Sequence, residues 1–202
     1  MLKLFHAPQS RSSAIVTLID EMGIADRVEI VEVSIPRIDG TSQRDPANPH
    51  PEGKAPALLH DGTVITERGA VILTLTSMFP DTGLAPRPGT PQWSEYLTWL
   101  FWYGSVMEPV LILAAAGVSH PWLHAAIRGV PELTARLELA LEHRPYLLGD
   151  SFSAADLLVH SPYAWFQEAT PDVPAIRDWV ARCQARPSVA RTRARDGLAL
   201  AA

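Results

Sequence analysis

The sequence has one cysteine in 202 residues, Cys183, so a framework of intramolecular disulfides is excluded. Basic residues are also scarce: 17 Lys and Arg against 22 Asp and Glu give a formal net charge of −5, which disfavours binding to a nucleic-acid backbone. No signal-peptide pattern opens the chain, and the apolar run 106–118 is shorter than the roughly 18 residues of a membrane span. We therefore expect a cytoplasmic protein that binds neither nucleic acid nor membrane.

The composition is that of an ordinary globular protein with a core, since 47% of residues are hydrophobic and 19% are charged. In the first half, residues 2–7 and 28–33 alternate as strands do. Between them, Ile15, Leu18 and Ile19 recur at helical spacing. This order predicts two parallel strands joined by a crossover helix.

A hairpin and a helix follow. The Asp-Gly dipeptide at 61–62 is a strong two-residue turn signal between the apolar segments 57–60 and 63–65. A further helix is predicted to begin at Thr66 and to end before Pro80.

The second half of the chain has a different pattern. Four prolines and two glycines in residues 80–91 are incompatible with a regular helix or strand and predict a linker. Beyond them, apolar spacing predicts helices, the first bent at Pro109, over 93–117, 123–127, 133–141, 157–166 and 176–183. The chain is therefore predicted to have a small mixed α/β domain at 1–80, a linker at 81–91 and an all-helical domain at 92–202.

Three motifs carry a family resemblance. They are PHPEGKAPAL at 49–58, ITERGAVI at 65–72 and YLLGDSFSAADL at 146–157. In order and spacing they resemble the N-P-x-G-K-V-P-x-L, T-E-S-x-A-I and Y-L-x-G-x-x-x-[ST]-x-A-D segments of glutathione transferases. Residues 9–12 and 103–109 also resemble a bacterial and fungal branch of that superfamily. The resemblance implies a thioredoxin-like domain followed by an all-helical domain.

The resemblance also implies an enzyme, usually a homodimer, that conjugates its co-substrate glutathione to a small hydrophobic electrophile. A free thiol has a pKa near 8.5, so only a few per cent of it is thiolate at neutral pH. By resemblance to serine-using members, Ser10 is the predicted thiolate-stabilising residue, with Ser12 and Ser13 as alternates. A purely capping role for these serines at the helix start is the competing interpretation. Arg11 either adds positive potential near the sulfur or is solvated.

Five further residues are predicted to hold glutathione. Ala55-Pro56 matches the family's cis-proline, whose preceding residue pairs with the cysteinyl unit. Lys54 is expected to reach a carboxylate of glutathione, or else to be solvated. Glu67 resembles the acid that binds the γ-glutamyl amino group. Arg68 departs from the family, which usually has Ser there, and this guanidinium either pairs with the γ-glutamyl carboxylate or fills the site.

Tyr103 and Met107 are predicted to line the pocket for the apolar co-substrate in the helical domain. No metal site is expected, since the pair His120 and His124 lacks a third ligand. Ser153 and Asp156 are interpreted as a helix capping box and not as catalytic residues.

Two other functions remain open at this point. The first is a glutathione-binding or interaction protein with little turnover, which Arg68 and the uncertain choice of serine keep possible. The second is a glutathione-dependent isomerase, dehalogenase or peroxidase. Thiol exchange through the protein is disfavoured because the loop at 9–13 contains no cysteine.

Overall fold

The computed structural model describes residues 2–198, which form two compact units. The first comprises residues 2–83 together with 185–198, and the second comprises 84–184. The sequence predicts that all residues from 92 onward belong to the helical domain. In the structure, the last helix, Pro187–Arg195, belongs to the first unit. The reason is a set of long-range polar contacts described below.

The first unit is built on a four-stranded mixed sheet in the order β2-β1-β3-β4. β1 runs parallel to β2 and antiparallel to β3, and β3 forms a hairpin with β4. Asp61 and Gly62 in the hairpin turn have φ of 46° and 82°, which a two-residue type I′ turn requires, so the predicted turn is confirmed. The strands are β1 Leu2–His6, β2 Val28–Glu32, β3 Ala57–His60 and β4 Thr63–Ile65.

The helices are α1 Ser13–Glu21, α2 Arg68–Met78, α3 Pro91–Trp102, α4 Glu108–Ala115, α5 Pro121–Ile127, α6 Val130–Leu141, α7 Ala154–Trp165, α8 Pro174–Gln184 and α9 Pro187–Arg195. Helices α1 to α8 follow the predicted order, with the predicted helix 93–117 divided into α3 and α4, whereas α9 lies beyond the last predicted helix. Helices α1, α2 and α9 belong to the first unit, and α3 to α8 to the second. The predicted linker contains one short 3₁₀ turn, Pro80–Thr82.

Polar contacts attach α9 to α1. The guanidinium of Arg186 donates Nε and Nη2 to the Glu21 carboxylate at 2.8 and 2.6 Å. Arg191 Nε donates to Asp20 at 2.7 Å, and Thr17 Oγ1 donates to Thr192 Oγ1 at 2.9 Å. Two arginines of this arginine-rich end of the chain are therefore paired with carboxylates of α1.

The second unit contains a 25-residue helical stretch, Pro91–Ala115, formed by α3, a π-helical segment Tyr103–Met107 and α4. Pro109 lies in the first turn of α4, where its missing N–H leaves no helical hydrogen bond unmade. The sequence predicts a bend at Pro109. In the structure, the irregular part of the helix is the π-helical segment just before this proline.

This stretch is longer than the apolar run seen in the sequence. Its most apolar 18-residue window has a mean hydropathy of 1.4, with a third of the window buried, so by length and composition alone it could cross a membrane. Core helices of soluble proteins meet the same criterion. Within this stretch, Tyr96, Trp99, Leu100 and Met107 are buried, and α3 packs on α7.

Asp156 organises the second unit. Its side chain has no exposed surface, and it accepts hydrogen bonds from Ser153 N–H at 2.9 Å and Ser153 Oγ at 2.7 Å, which confirms the capping box. It also accepts from Leu147 N–H at 2.8 Å and from Trp179 Nε1 at 2.9 Å. Asp156 thereby links α7 to the segment before it and to α8.

Candidate functional site

The loop after β1 carries the predicted catalytic serine and is braced from two directions. Gln9 has φ of +53°, an unusual value for a residue with a side chain. Arg37 donates Nη1 to the Gln9 carbonyl at 2.8 Å and Nη2 to the Pro8 carbonyl. From the other side, Gln9 N–H donates to Asp196 Oδ2 at 2.9 Å. The loop is therefore held in one conformation by side chains distant in sequence.

The three candidate serines have different surroundings. Ser10 is half-buried, and its Oγ donates to the Ala7 carbonyl at 2.7 Å, accepts Ser12 N–H at 3.1 Å and lies 2.8 Å from Ser12 Oγ. Ser12 and Ser13 are buried. Of these three serines, only Ser10 has a side chain that is partly exposed to solvent.

The hydroxyls of Ser12 and Ser13 are committed to buried partners. Ser12 Oγ lies 2.8 Å from His6 Nδ1, and Ser13 Oγ donates to Asp196 Oδ2 at 2.5 Å. His6 Nε2 in turn lies 3.0 Å from Asp196 Oδ1. Ser12 stands at the N-cap of α1 but makes no side-chain capping bond. The capping interpretation therefore does not account for these two serines.

Asp196 and His6 were not selected from the sequence. They are 190 residues apart, and no local pattern connects them. Burial raises the pKa of Asp196, but hydrogen bonds from His6, Ser13 and Gln9 N–H outweigh burial and hold that pKa below its ordinary value. Asp196 is therefore a buried carboxylate, ionised at neutral pH.

A second loop precedes β3 and contains the predicted cis-proline. The Ala55-Pro56 peptide is cis, as the resemblance predicted. Asn48 shapes this loop, because its Nδ2 donates to the Lys54 carbonyl at 3.0 Å while its Oδ1 accepts His50 N–H at 3.0 Å. Asn48 and His50 are buried. The sequence reasoning missed both, although they stand within and just before the first motif.

Charged side chains gather beside this loop. Lys54 is exposed and pairs with Glu52, whose carboxylate raises the Lys54 pKa. The charge of Glu67 raises that pKa further, whereas the charge of Arg11 lowers it. The structure therefore brings two other predicted glutathione-binding residues, Glu67 and Arg11, within electrostatic reach of Lys54.

The start of α2 is a site suited to an anion. Glu67 occupies the N-cap with φ of +64° and ψ of 125°, and its side chain makes no capping bond. Non-glycine residues held at positive φ cluster at functional sites. Main-chain N–H groups of a first helical turn point toward an anion and carry positive potential. Arg68, the first residue of α2, is buried and has polar interactions of its own.

Tyr103 and Met107 lie in the π-helical segment of the second unit, and both are buried. They pack the core of that unit, and their part in a co-substrate pocket stays a prediction. His120 accepts Trp122 N–H at 3.2 Å as a cap of α5, and His124 Nε2 lies 2.9 Å from Ser119 Oγ. Within residues 2–198, no group of three His, Cys, Asp or Glu side chains could hold a metal ion.

Known protein families and solved structures resemble this chain. The family model for the glutathione S-transferase C-terminal domain matches residues 112–187. Protein LigF of Sphingobium sp. (strain NBRC 103272 / SYK-6) is 28% identical, over 69% of this chain and 73% of its own length.

Solved structures match nearly the whole chain. A glutathione transferase of Methylococcus capsulatus str. Bath is 26% identical, with a TM-score of 0.78 over 98% of this chain and 99% of the other. A sphingomonad glutathione S-transferase complexed with glutathione is 28% identical, with a TM-score of 0.77 over 98% of this chain and 100% of the other.

Proposed function

Because this chain belongs to the glutathione S-transferase superfamily, we propose that it binds glutathione on its first unit and transfers the glutathione thiolate to an apolar electrophile. Ser10 stabilises the thiolate in this proposal. The observation that carries the assignment is the difference among the three serines: Ser12 and Ser13 are buried in a network, while Ser10 presents a half-buried hydroxyl at the entrance to α1.

Different residues bind different parts of glutathione in this proposal. The peptide before Pro56 pairs with the cysteinyl unit, as an added strand pairs with a sheet edge. Glu67 binds the γ-glutamyl amino group, and the main-chain N–H groups at the start of α2 bind its carboxylate. Lys54 and Arg11 supply positive charge for the remaining carboxylate and the sulfur. Because the α2 contact is made by the main chain, Arg68 in place of serine leaves it available.

The chemistry requires the thiol to ionise at neutral pH. A shift of about two units from a pKa near 8.5 raises the thiolate fraction at pH 7 from about 3% to about 75%. A hydroxyl that donates to the sulfur favours the charged form, and the positive end of α1 acts in the same direction. The thiolate then attacks the electrophile. Tyr103 and Met107 are assigned to the apolar pocket, and the enzyme is proposed to act as a cytoplasmic homodimer in detoxification.

Removal of the Ser10 hydroxyl tests this function. We expect Ser10→Ala to bind glutathione within about threefold of the wild type, because its contacts with the tripeptide are made elsewhere. Turnover of an aryl-halide electrophile at pH 7 should fall by about fivefold or more, toward the limit of about 25-fold set by the ratio of the two thiolate fractions, since the positive end of α1 remains. Calorimetric titration of glutathione and steady-state kinetics measure the two quantities.

Ser77→Ala is the matched control, since Ser77 is an exposed serine of α2 in the same unit. It should retain wild-type turnover. S-methylglutathione should bind the wild type but should not react. If wild type binds no glutathione, or if Ser10→Ala turns over at the wild-type rate, the assignment is wrong.

A further inference from the structure

Four side chains of the first unit form a continuous hydrogen-bonded chain that ends at the proposed thiolate site. The distances are 3.0 Å from Asp196 Oδ1 to His6 Nε2, 2.8 Å from His6 Nδ1 to Ser12 Oγ, and 2.8 Å from Ser12 Oγ to Ser10 Oγ. Asp196, His6 and Ser12 are 5%, 0% and 0% exposed, and Ser10 is half-buried. The chain therefore leads from a buried carboxylate to a hydroxyl that a ligand can approach.

The carboxylate of Asp196 sets the direction of the protons at the His6 end of this chain. An ionised Asp196 can only accept, so His6 Nε2 carries a proton and donates it to Asp196. In the neutral imidazole, Nδ1 is then an acceptor, so the Ser12 hydroxyl donates to it. Ser12 Oγ has lone pairs left for Ala7 N–H, at 3.1 Å, and for the Ser10 hydroxyl. The Ala7 carbonyl accepts from Ser10 Oγ at 2.7 Å and lies 3.2 Å from Ser12 Oγ, so it competes for both hydroxyl protons. The chain points toward His6 when the Ser10 hydroxyl turns from this carbonyl to Ser12 Oγ.

Asp196 is also fixed in place independently of His6. Its second oxygen accepts from Ser13 Oγ at 2.5 Å and from Gln9 N–H at 2.9 Å, and its carbonyl accepts from Gln9 Nε2 at 3.0 Å. The carboxylate can therefore hold the imidazole in one tautomer and orientation. A carboxylate in this position also stabilises an imidazolium if His6 gains a second proton.

We propose that Asp196, His6 and Ser12 are positioning residues that relay the proton of the bound glutathione thiol away from the sulfur through Ser10. This inference rests on the proposed function. The S–H bond breaks and its proton passes to Ser10 Oγ, as the Ser10 proton passes to Ser12 Oγ and the Ser12 proton to His6 Nδ1. The products are a thiolate that accepts the Ser10 hydroxyl and an imidazolium paired with Asp196. The proton returns along the same path to solvent when the conjugate leaves.

The relay makes a C-terminal residue part of the chemistry of the N-terminal loop. We expect Asp196→Asn to raise the pKa of the bound glutathione thiol by about one unit, because the amide no longer stabilises an imidazolium. The ultraviolet absorbance of the thiolate, titrated against pH on the glutathione complex, measures this pKa. The pH profile of kcat/KM for an aryl halide should shift by the same amount.

Glu21→Gln is the matched control for a merely structural role. Glu21 also ties α1 to the C-terminal segment, through Arg186 and Ser188, but it lies outside the relay. This variant should lose stability and retain the wild-type thiol pKa. Equal shifts in Asp196→Asn and Glu21→Gln would show that loosening the segment is enough, and the relay would be wrong.

Ser12→Ala interrupts the hydrogen-bonded chain one step nearer the sulfur. This variant tests the relay if Asp196→Asn does not fold. It should raise the thiol pKa as Asp196→Asn does, and an unchanged pKa in this variant overturns the relay. The two proposals fail in different ways. If glutathione produces no thiolate absorbance on the wild type, the proposed function and the relay both fail. If it does, and both relay variants match the wild type, only the relay fails.

Discussion

Replacing Asp156 by alanine is expected to lower the free energy of unfolding by about 3–5 kcal/mol, a large fraction of the stability of a typical domain. Asp156 has no exposed surface and accepts four hydrogen bonds. Removing it leaves the N–H of Leu147, the N–H and hydroxyl of Ser153 and the indole N–H of Trp179 without their acceptor inside the helical unit. Each unsatisfied buried donor costs about 1–3 kcal/mol, and local relaxation recovers part of the sum.

Urea unfolding followed by tryptophan fluorescence measures this loss. Asp156→Asn is the near-isosteric comparison: it keeps the acceptor for Leu147 and Trp179 but turns an N–H₂ toward Ser153, so we expect a smaller loss. Glu132 is the control for an exposed cap, because it accepts Gly129 N–H at 3.1 Å at the start of α6. Glu132→Ala should cost about 1 kcal/mol or less. A similar cost for Asp156→Ala would mean that its buried contacts add nothing to capping.

Local sequence signals predicted most of the fold correctly. The Asp-Gly turn at 61–62 requires only two adjacent residues, and the type I′ geometry follows from their tolerance of positive φ. The capping box of Ser153 and Asp156 spans four residues and is likewise readable from the chain. The resemblance supplied the cis peptide before Pro56, which composition alone could not have indicated.

The parts that the sequence could not predict depend on distant contacts. Asp196 follows an arginine-rich helix, a pattern that indicates solvent exposure, and only the docking of α9 on α1 brings it to His6. The start of α2 also differs from the prediction. The sequence predicts that this helix begins at Thr66, but Glu67 has a positive φ, which is not helical, so the helix begins at Arg68. In both cases tertiary contacts or an unusual backbone conformation override the local pattern.

The same limit applies to the candidate site. Motif matching selected Ser10, Ser12 and Ser13 together, because a serine in a loop before a helix is equally suited to catalysis and capping. Only their burial and partners separate them. The converse holds for Asn48 and His50, since polar residues in a loop rich in proline and glycine give no signal of being buried.

His160 should make the protein lose stability as the pH falls below neutral. Burial lowers the pKa of this histidine to about 4 in the folded state, and its Nδ1–H donates to the Asp156 carbonyl at 2.9 Å. The unfolded chain takes up a proton at the ordinary pKa of about 6.5, whereas the folded chain stays neutral. Stability is therefore fully present above pH 6.5 and falls as the pH drops toward 4, by about 3 kcal/mol in all and about 2 kcal/mol between pH 7 and pH 5.

Denaturant unfolding at pH 7 and pH 5 measures this dependence before most carboxylates titrate. His160→Asn keeps a donor near the Asp156 carbonyl and removes the titrating ring, so its stability should fall between the two pH values by about 2 kcal/mol less than that of the wild type. Burial lowers the pKa of His50 as well, and this contribution is common to both proteins and cancels in the comparison. His143→Asn, at an exposed position, should behave as the wild type does. If His160→Asn retains the full wild-type dependence, His160 takes up its proton in the folded protein as readily as in the unfolded chain, and its buried environment does not control acid stability.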